Sequence, residues 1–232
     1  MDQTVYKGTI VFINHDRNYV TISYLQKGKE KTINSRIEVS KTSKKHVFRI
    51  GDELNFQVKP AEKGDRMIAY NLRFLYNTAL ERLISQASVE NRFVGYLKLV
   101  DDSLYVKERD SYIFFPLKLS PWENPPAASA FNEAISFKLI NPDKSHALAA
   151  ELFSHDFIPE YRQALEHYRS KTAIDAVVSR VSPFAIHADL FGGKLQARLP
   201  LPDKSLEALK PGDSFKVEIT YLSGDRLVVK LV

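Results

Sequence analysis

The sequence predicts an all-β protein: three tandem OB-fold-like five-stranded barrels joined by two short helices. Three observations lead there. Only two segments of the 232 residues carry a helical apolar period, and they divide the chain into thirds. Each third holds five short runs rich in β-branched and aromatic residues. In every third a longer interval separates the third run from the fourth.

In the first third the runs are residues 6–13, 19–24, 31–37, 53–59 and 67–75. Asp16-Arg17-Asn18 and the polar stretches 26–29 and 62–65 supply the turns. From Thr78 onward, Ala79, Leu80, Leu83, Ile84 and Ala87 make an apolar helical stripe. Thr78 with Glu81 three residues later reads as a capping box, each side chain satisfying a free amide of the first turn. The middle third gives runs at 93–100, 103–108, 112–117, 134–140 and 147–153. A second helix starts near Pro159, a residue suited to the first helical turn, and Ile158, Tyr161, Leu165 and Tyr168 line one of its faces. The last third gives runs at 173–181, 185–190, 194–199, 214–221 and 226–231. The long third-to-fourth intervals are 38–52, 118–133 and 200–213.

Five strands with a long third-to-fourth connection is the plan of the OB-fold, a small Greek-key barrel, here repeating every 80 residues or so. The expected domains are 1–75, a degenerate 92–154 and 173–232, with linker helices at 76–91 and 155–172. The alternative is one mixed β domain.

Composition narrows the class. At 44% hydrophobic and 26% charged residues the chain is a globular one, which excludes disordered and collagen-like proteins. No apolar run approaches the roughly 18 residues of a membrane span, and no apolar stretch follows the first residues as a secretory signal would. The absence of cysteine removes disulfides, thiolate zinc sites and cysteine nucleophiles, and fits a cytoplasmic location. The net charge of +5 is unevenly placed: residues 1–75 carry +6, residues 76–154 carry −2 and residues 155–232 carry +1. A polyanion would therefore meet the first third first.

Catalytic signatures are missing from the sequence. The six histidines show no H-x-x-x-H or H-x-H spacing for a metal, and there is no P-loop, G-x-S-x-G or G-x-G-x-x-G. Asp101-Asp102 is an adjacent pair that a strand would point to opposite sides. The expectation is a binding protein without catalytic residues, cofactor or metal.

The run Gly8-Thr9-Ile10-Val11-Phe12-Ile13-Asn14-His15-Asp16-Arg17-Asn18-Tyr19-Val20-Thr21-Ile22 resembles the opening of a bacterial cold-shock domain. That family reads G-K-V-K-W-F-N and then K-G-F-G-F-I. Gly51-Asp52-Glu53-Leu54-Asn55-Phe56-Gln57-Val58 resembles its G-x-x-V-x-F-x-V strand, and Lys63-Gly64 with Ala69-Tyr70-Asn71-Leu72 resembles its ending. The resemblance covers roughly residues 5–75. It implies binding of single-stranded RNA or DNA by base stacking, with Phe12 at the family's Trp and Tyr19 at its first motif Phe. Thr21 replaces the second motif Phe, Asn18 and Val20 replace both glycines, and the V-F-V-H segment becomes Lys31-Thr32-Ile33-Asn34. A stacked base contributes about 1–3 kcal/mol, so two missing aromatics weaken binding unless cations compensate. The candidates for that are Lys7, Arg17, Lys27, Lys29, Lys31, Arg36, Lys41, Lys44 and Lys45.

The last third resembles the RNA-binding OB repeat of the largest small-subunit ribosomal protein. Ser182-Pro183-Phe184-Ala185-Ile186-His187-Ala188-Asp189-Leu190 looks like its x-Y/F-G-x-F-V-x-L strand, and Lys210-Pro211-Gly212-Asp213-Ser214-Phe215-Lys216-Val217 like its V-G-D-x-V-x-V-K-V strand. The resemblance implies stacking at Phe184 and His187 and a basic third-strand residue near Arg198, with Ala185 departing from the family's glycine. The middle third matches neither family well and holds the only tryptophan, Trp122, in a proline-rich loop read as a buried plug.

The function expected from these readings is binding of single-stranded nucleic acid, RNA favoured over DNA, through barrels one and three. The middle barrel would be a spacer or a docking surface for a protein. The rival is a protein-interaction module whose barrels have lost their stacking residues.

Overall fold

Period-two alternation makes one face of each strand apolar, and the chain satisfies those faces by folding each third around its own core. The computed structural model describes residues 4–37, 46–61, 66–100, 102–200 and 209–232. Lys41, Lys44, Lys45, Lys63, Gly64, Asp101 and the turn expected at 62–65 lie outside the described residues.

The first sheet comprises β1 (Val5–Asn14), β2 (Tyr19–Gln26), β3 (Lys29–Arg36), β4 (Glu53–Pro60) and β5 (Met67–Tyr76). Its strand order is β3-β2-β1-β4-β5, all neighbours antiparallel. Ile10, Val20, Ile22, Leu54 and Phe56 fill its core.

Helix α1 (Thr78–Val89) follows. Its N-cap is Asn77 rather than Thr78: Asn77 Oδ1 accepts from the Leu80 amide at 3.0 Å. The reason is tertiary. Asn77 Nδ2 also donates to the Ile50 carbonyl and to the fully buried Asp52 carboxylate at 2.7 Å, so one side chain caps the helix and ties it to the sheet. Asp52 in turn accepts from His46 Nε2 at 2.7 Å and from the Arg49 amide at 2.9 Å.

The second sheet comprises β6 (Phe93–Val100), β7 (Ser103–Glu108), β8 (Phe114–Pro116), β9 (Ala134–Ile140) and β10 (Ala149–Leu152), ordered β10-β9-β6-β7-β8. Its edges meet at one parallel bridge, Leu117 to Ala150. Leu80 and Leu83 of α1 join Phe93, Phe115 and Phe137 in its core. These two sheets belong to one compact unit, residues 1–118 and 127–153, within which Arg49 Nη2 donates to the Ser145 carbonyl at 2.9 Å.

The second unit takes residues 119–126 and 154–232. Helix α2 (Pro159–Ser170) precedes β11 (Ile174–Ser182), β12 (Ala185–Leu190), β13 (Leu195–Pro200), β14 (Ser214–Leu222) and β15 (Leu227–Leu231). These five strands form a closed barrel, sealed by a parallel pairing of Arg198 with Val228. Trp122 is buried, stacked on Tyr161 of α2 at 5.3 Å, and both share the barrel's core with Ala164, Ile186, Leu195 and Ile219. All three assemblies therefore have the same strand order: counting strands within each, 3-2-1-4-5.

Candidate nucleic-acid interface

On β1, Gly8 and Ile10 point inward, and simple alternation would send Phe12 inward too. A bulge between Ile10 and Phe12 shifts the register and turns Phe12 out, 47% exposed and paired across to Thr21. Asn14, Tyr19 and Arg36 form the next row of the same outer face. The Phe12 and Tyr19 rings lie 6.2 Å apart, tilted by 51°. The rest of Phe12's own row is polar, with Thr21 Oγ1 donating to Asn34 Oδ1 at 2.9 Å. Arg17 is exposed in the turn between the two strands.

The other cations predicted for this face are placed differently. Lys7 shares the outer face, but its ammonium is 2.7 Å from Glu53 Oε2 and 3.1 Å from the Tyr76 hydroxyl. Those two hydrogen bonds raise the Lys7 pKa, and the Lys7 partnership lowers that of Glu53. Lys7 is thus a charged ammonium held in an exposed ion pair. Lys29 and Lys31 occupy the row of the inward residues Ile33 and Ser35 and emerge at the far end of β3, where Lys31 donates to Gln26 Oε1. The sheet brings Phe12, Tyr19 and Arg36 together, with Arg17 beside them in the turn, and leaves Lys29 and Lys31 apart.

The third barrel builds its outer face the same way. A bulge between Val178 and Arg180 turns Arg180 outward, opposite His187, and His187 lies opposite Arg198 on the next strand. Arg180–His187–Arg198 is one cross-strand row without a carboxylate. Arg180 Nη2 donates to His187 Nε2 at 3.2 Å, which requires that nitrogen to be unprotonated. Burial, and then the charges of Arg180 and Arg198, hold the His187 pKa below its ordinary value. Beyond this row the β11–β12 hairpin ends in a two-residue turn, Pro183-Phe184, with Phe184 78% exposed. Ser182 holds the turn: its hydroxyl accepts from the Ala185 amide and donates to the Ala185 carbonyl. On the other flank the lining of a cleft of about 450 Å³ includes His187, Arg198, Lys194, Arg226, Trp122 and one carboxylate, Asp225.

Arg180, Lys194 and Arg226 are absent from the sequence-derived set. Nothing in an alternation pattern points Arg180 outward, because the bulge that does so inserts Ser179 where a regular strand would continue. Lys194 and Arg226 stand in and beside turns, and only barrel closure brings them to Arg198.

The middle sheet differs. Its outer rows are Lys98–Tyr105–Pro116 and Tyr96–Lys107–Phe114. The Lys107 ammonium lies 4.5 Å from the Tyr112 ring and 5.9 Å from Phe114, and His15 of the first sheet packs on Tyr105 and Phe114 at 5.7 and 5.6 Å. These rings are occupied by the protein's own cations and by a neighbouring ring.

Among the described residues no group of three or more His, Asp or Glu side chains could hold a metal ion, and no helix is long and apolar enough to cross a membrane. No family model matches the chain, and no curated protein matches it. Solved structures are similar to the chain, among them the following three. One is a multidomain protein with nucleic acid binding domains from Streptococcus pneumoniae TIGR4, at 12% identity over 99% of this chain and 73% of that one, TM-score 0.22. Another is Drosophila Unr CSD456, at 17% identity over 99% and 96%, TM-score 0.27. The third is the apo form of Mycoplasma genitalium RNase R, at 13% identity over 79% and 34%, TM-score 0.25.

Proposed function

We propose that the chain is a tandem OB-fold protein that binds single-stranded RNA by electrostatic capture and base stacking. Each 3-2-1-4-5 assembly is read as an OB barrel whose first three strands present the binding face. One observation carries the reading: the Arg180–His187–Arg198 row, free of carboxylates and set beside the exposed Phe184 ring. Two guanidinium groups suit phosphate oxygens, which they can bind bidentately, and a ring held on a short anchored hairpin loses little freedom when a base stacks on it. Phe12, Tyr19 and Arg36 on the first sheet offer a second site of the same chemistry. Short-linker tethering raises the effective concentration at a second site into the mM range, so two weak sites bind one strand tightly.

The test is fluorescence anisotropy of the whole chain with a labelled oligo-U, titrated over a range of salt. Single-strand binding releases about 0.7 counterions per phosphate neutralised, so the affinity should fall steeply with salt. Arg180→Ala with Arg198→Ala should weaken binding and flatten the slope by about 1.4. An unchanged affinity in that double variant sinks the reading. Competition by the matching oligo-dU gives the preference between RNA and DNA, expected to favour RNA through its 2′-hydroxyl.

A further inference from the structure

The second cleft of the third barrel lies one row below the Arg180–His187–Arg198 row and has a different character. It is about 640 Å³ in volume; its wall includes Val177, Asp189, Phe191, Gly192, Gly193 and Ser214, with His167 and a second carboxylate, Asp175, the latter 3.7 Å from the Lys216 ammonium. Ser214, Val177 and Asp189 are successive cross-strand partners on β14, β11 and β12, so they form a single row. Val177 is an apolar floor, 42% exposed. Phe191 adds a ring. Gly192 and Gly193, at φ of 66° and 84°, close the turn without side chains and leave the mouth open.

Within this cleft Asp189 is an anomaly. Its Oδ1 is sealed from solvent and accepts no hydrogen bond, and no ion pair reaches the carboxylate among the described residues. Buried acceptors are nearly always satisfied, so an orphaned carboxylate oxygen in a cleft marks a place for a donor that arrives with a ligand. The rest of the barrel face supplies cations to the row above and none to this oxygen.

Given the reading above as a single-strand binder, we propose that this cleft selects guanine, with the Asp189 carboxylate accepting from the Watson–Crick edge of the base. A carboxylate only accepts. Guanine alone presents two adjacent donors, N1–H and the N2 amine, and sets no lone pair against the carboxylate once the Asp189 side chain turns its covered Oδ1 toward the base. Cytosine and adenine each offer one amine beside a ring-nitrogen acceptor, and uracil offers N3–H between two carbonyl oxygens, so each opposes a lone pair to the carboxylate. Val177 and Phe191 give the base its apolar contacts. Two residues along a strand span about 7 Å, a distance a ribose bridges, so the nucleotide's phosphate falls on the cationic row.

The experiment compares oligo-U strands carrying one central G, I, A or C with plain oligo-U, by anisotropy on the full chain. The G strand should bind at least about tenfold tighter than the A and C strands, with inosine, which keeps N1–H and lacks the amine, in between. Asp189→Asn should abolish the preference for G over A and C, with its melting temperature showing that the fold is kept. Equal binding of the G, A and C strands, or a preference that survives Asp189→Asn, overturns the proposal. Tight binding of an arginine- or lysine-rich peptide that Asp189→Asn removes, with no base preference, also overturns it and makes the cleft a site for a basic side chain. Failure of plain oligo-U to bind is a failure of the RNA reading instead. In that case chemical shifts of the Val177, Asp189 and Ser214 amides on adding GMP against AMP still test the cleft, and equal shifts overturn it.

Discussion

Phe12 of β1 and Arg180 of β11 occupy the same position in their sheets, each turned outward by a one-residue bulge just before it. Gly8 pairs with Tyr24 and Ala176 with Leu190; three partners further on, Phe12 faces Thr21 and Arg180 faces His187. The second sheet reaches the equivalent position, Lys98 opposite Tyr105, by plain alternation and without a bulge. A ring and a guanidinium thus take the same outward station in the first sheet and in the closed barrel.

Replacing Phe12 or Tyr19 by alanine should cost about 1–3 kcal/mol of affinity for oligo-U per lost stacked base. Phe12 is half exposed, so Phe12→Ala should move the unfolding free energy by no more than about 0.5 kcal/mol. Anisotropy and urea unfolding measured on the same preparations separate the two effects. Unchanged affinity in the double variant removes the first sheet from the interface.

His187 gives opposite pH dependences for folding and for binding. Burial, then Arg180 and Arg198, hold its pKa below the ordinary 6.5, so the unfolded chain takes up a proton before the folded one does as pH falls. The resulting stability is present above the ordinary value and is lost as pH falls through the depressed one. A bound phosphate favours the imidazolium, so affinity for RNA should rise as pH is lowered from about 8 to about 6. His187→Gln should remove that part of the rise, read as the difference between two anisotropy titrations against pH.

Gly8 and Gly95 are equivalent positions, and neither has room for a side chain. A β-carbon on Gly95 would lie 2.7 Å from the Lys107 carbonyl oxygen, 2.7 Å from Val106 Cγ1 and 3.1 Å from Phe137; on Gly8 it would lie 2.6 Å from the Ser23 oxygen, 2.7 Å from Ile22 Cγ2 and 3.1 Å from Phe56. The corresponding residue of the third barrel is the buried Ala176, and there Val217 stands at the register of the two phenylalanines. Gly95→Ala should destabilise the first unit by about 1–3 kcal/mol in denaturant unfolding. Adding Val106→Ala should recover part of the clash, so the two changes should be non-additive. Strict additivity would show that the Val106 methyl is not the obstacle.

Trp122 is the only tryptophan and reports on the second unit alone. Trp122→Phe should leave a partly filled space beside Tyr161, while Trp122→Ala should cost about 3–5 kcal/mol. In the wild type, indole fluorescence should follow unfolding of the third barrel. Gly95→Ala should leave that transition in place while shifting the overall circular dichroism curve.

Strand number, the two helices and the threefold recurrence were legible in the residues, because alternation, turn residues and helical stripes are local signals. Phe12, Tyr19, Phe184, His187 and Arg198 were legible as candidates only through the resemblance of their segments to the cold-shock domain and to the ribosomal OB repeat. What the tertiary structure alone decided is which side chains share a surface. A single inserted residue reverses every later side chain of a strand, so Phe12 and Arg180 reach the outer face through bulges that alternation does not encode. Lys7 was paired with Glu53, 46 positions away in sequence. Asp189 acquired its unsatisfied oxygen only when β12 was sealed between its neighbours. Composition sets the number of charges, but their partners depend on distances that exist only once the chain has closed on itself.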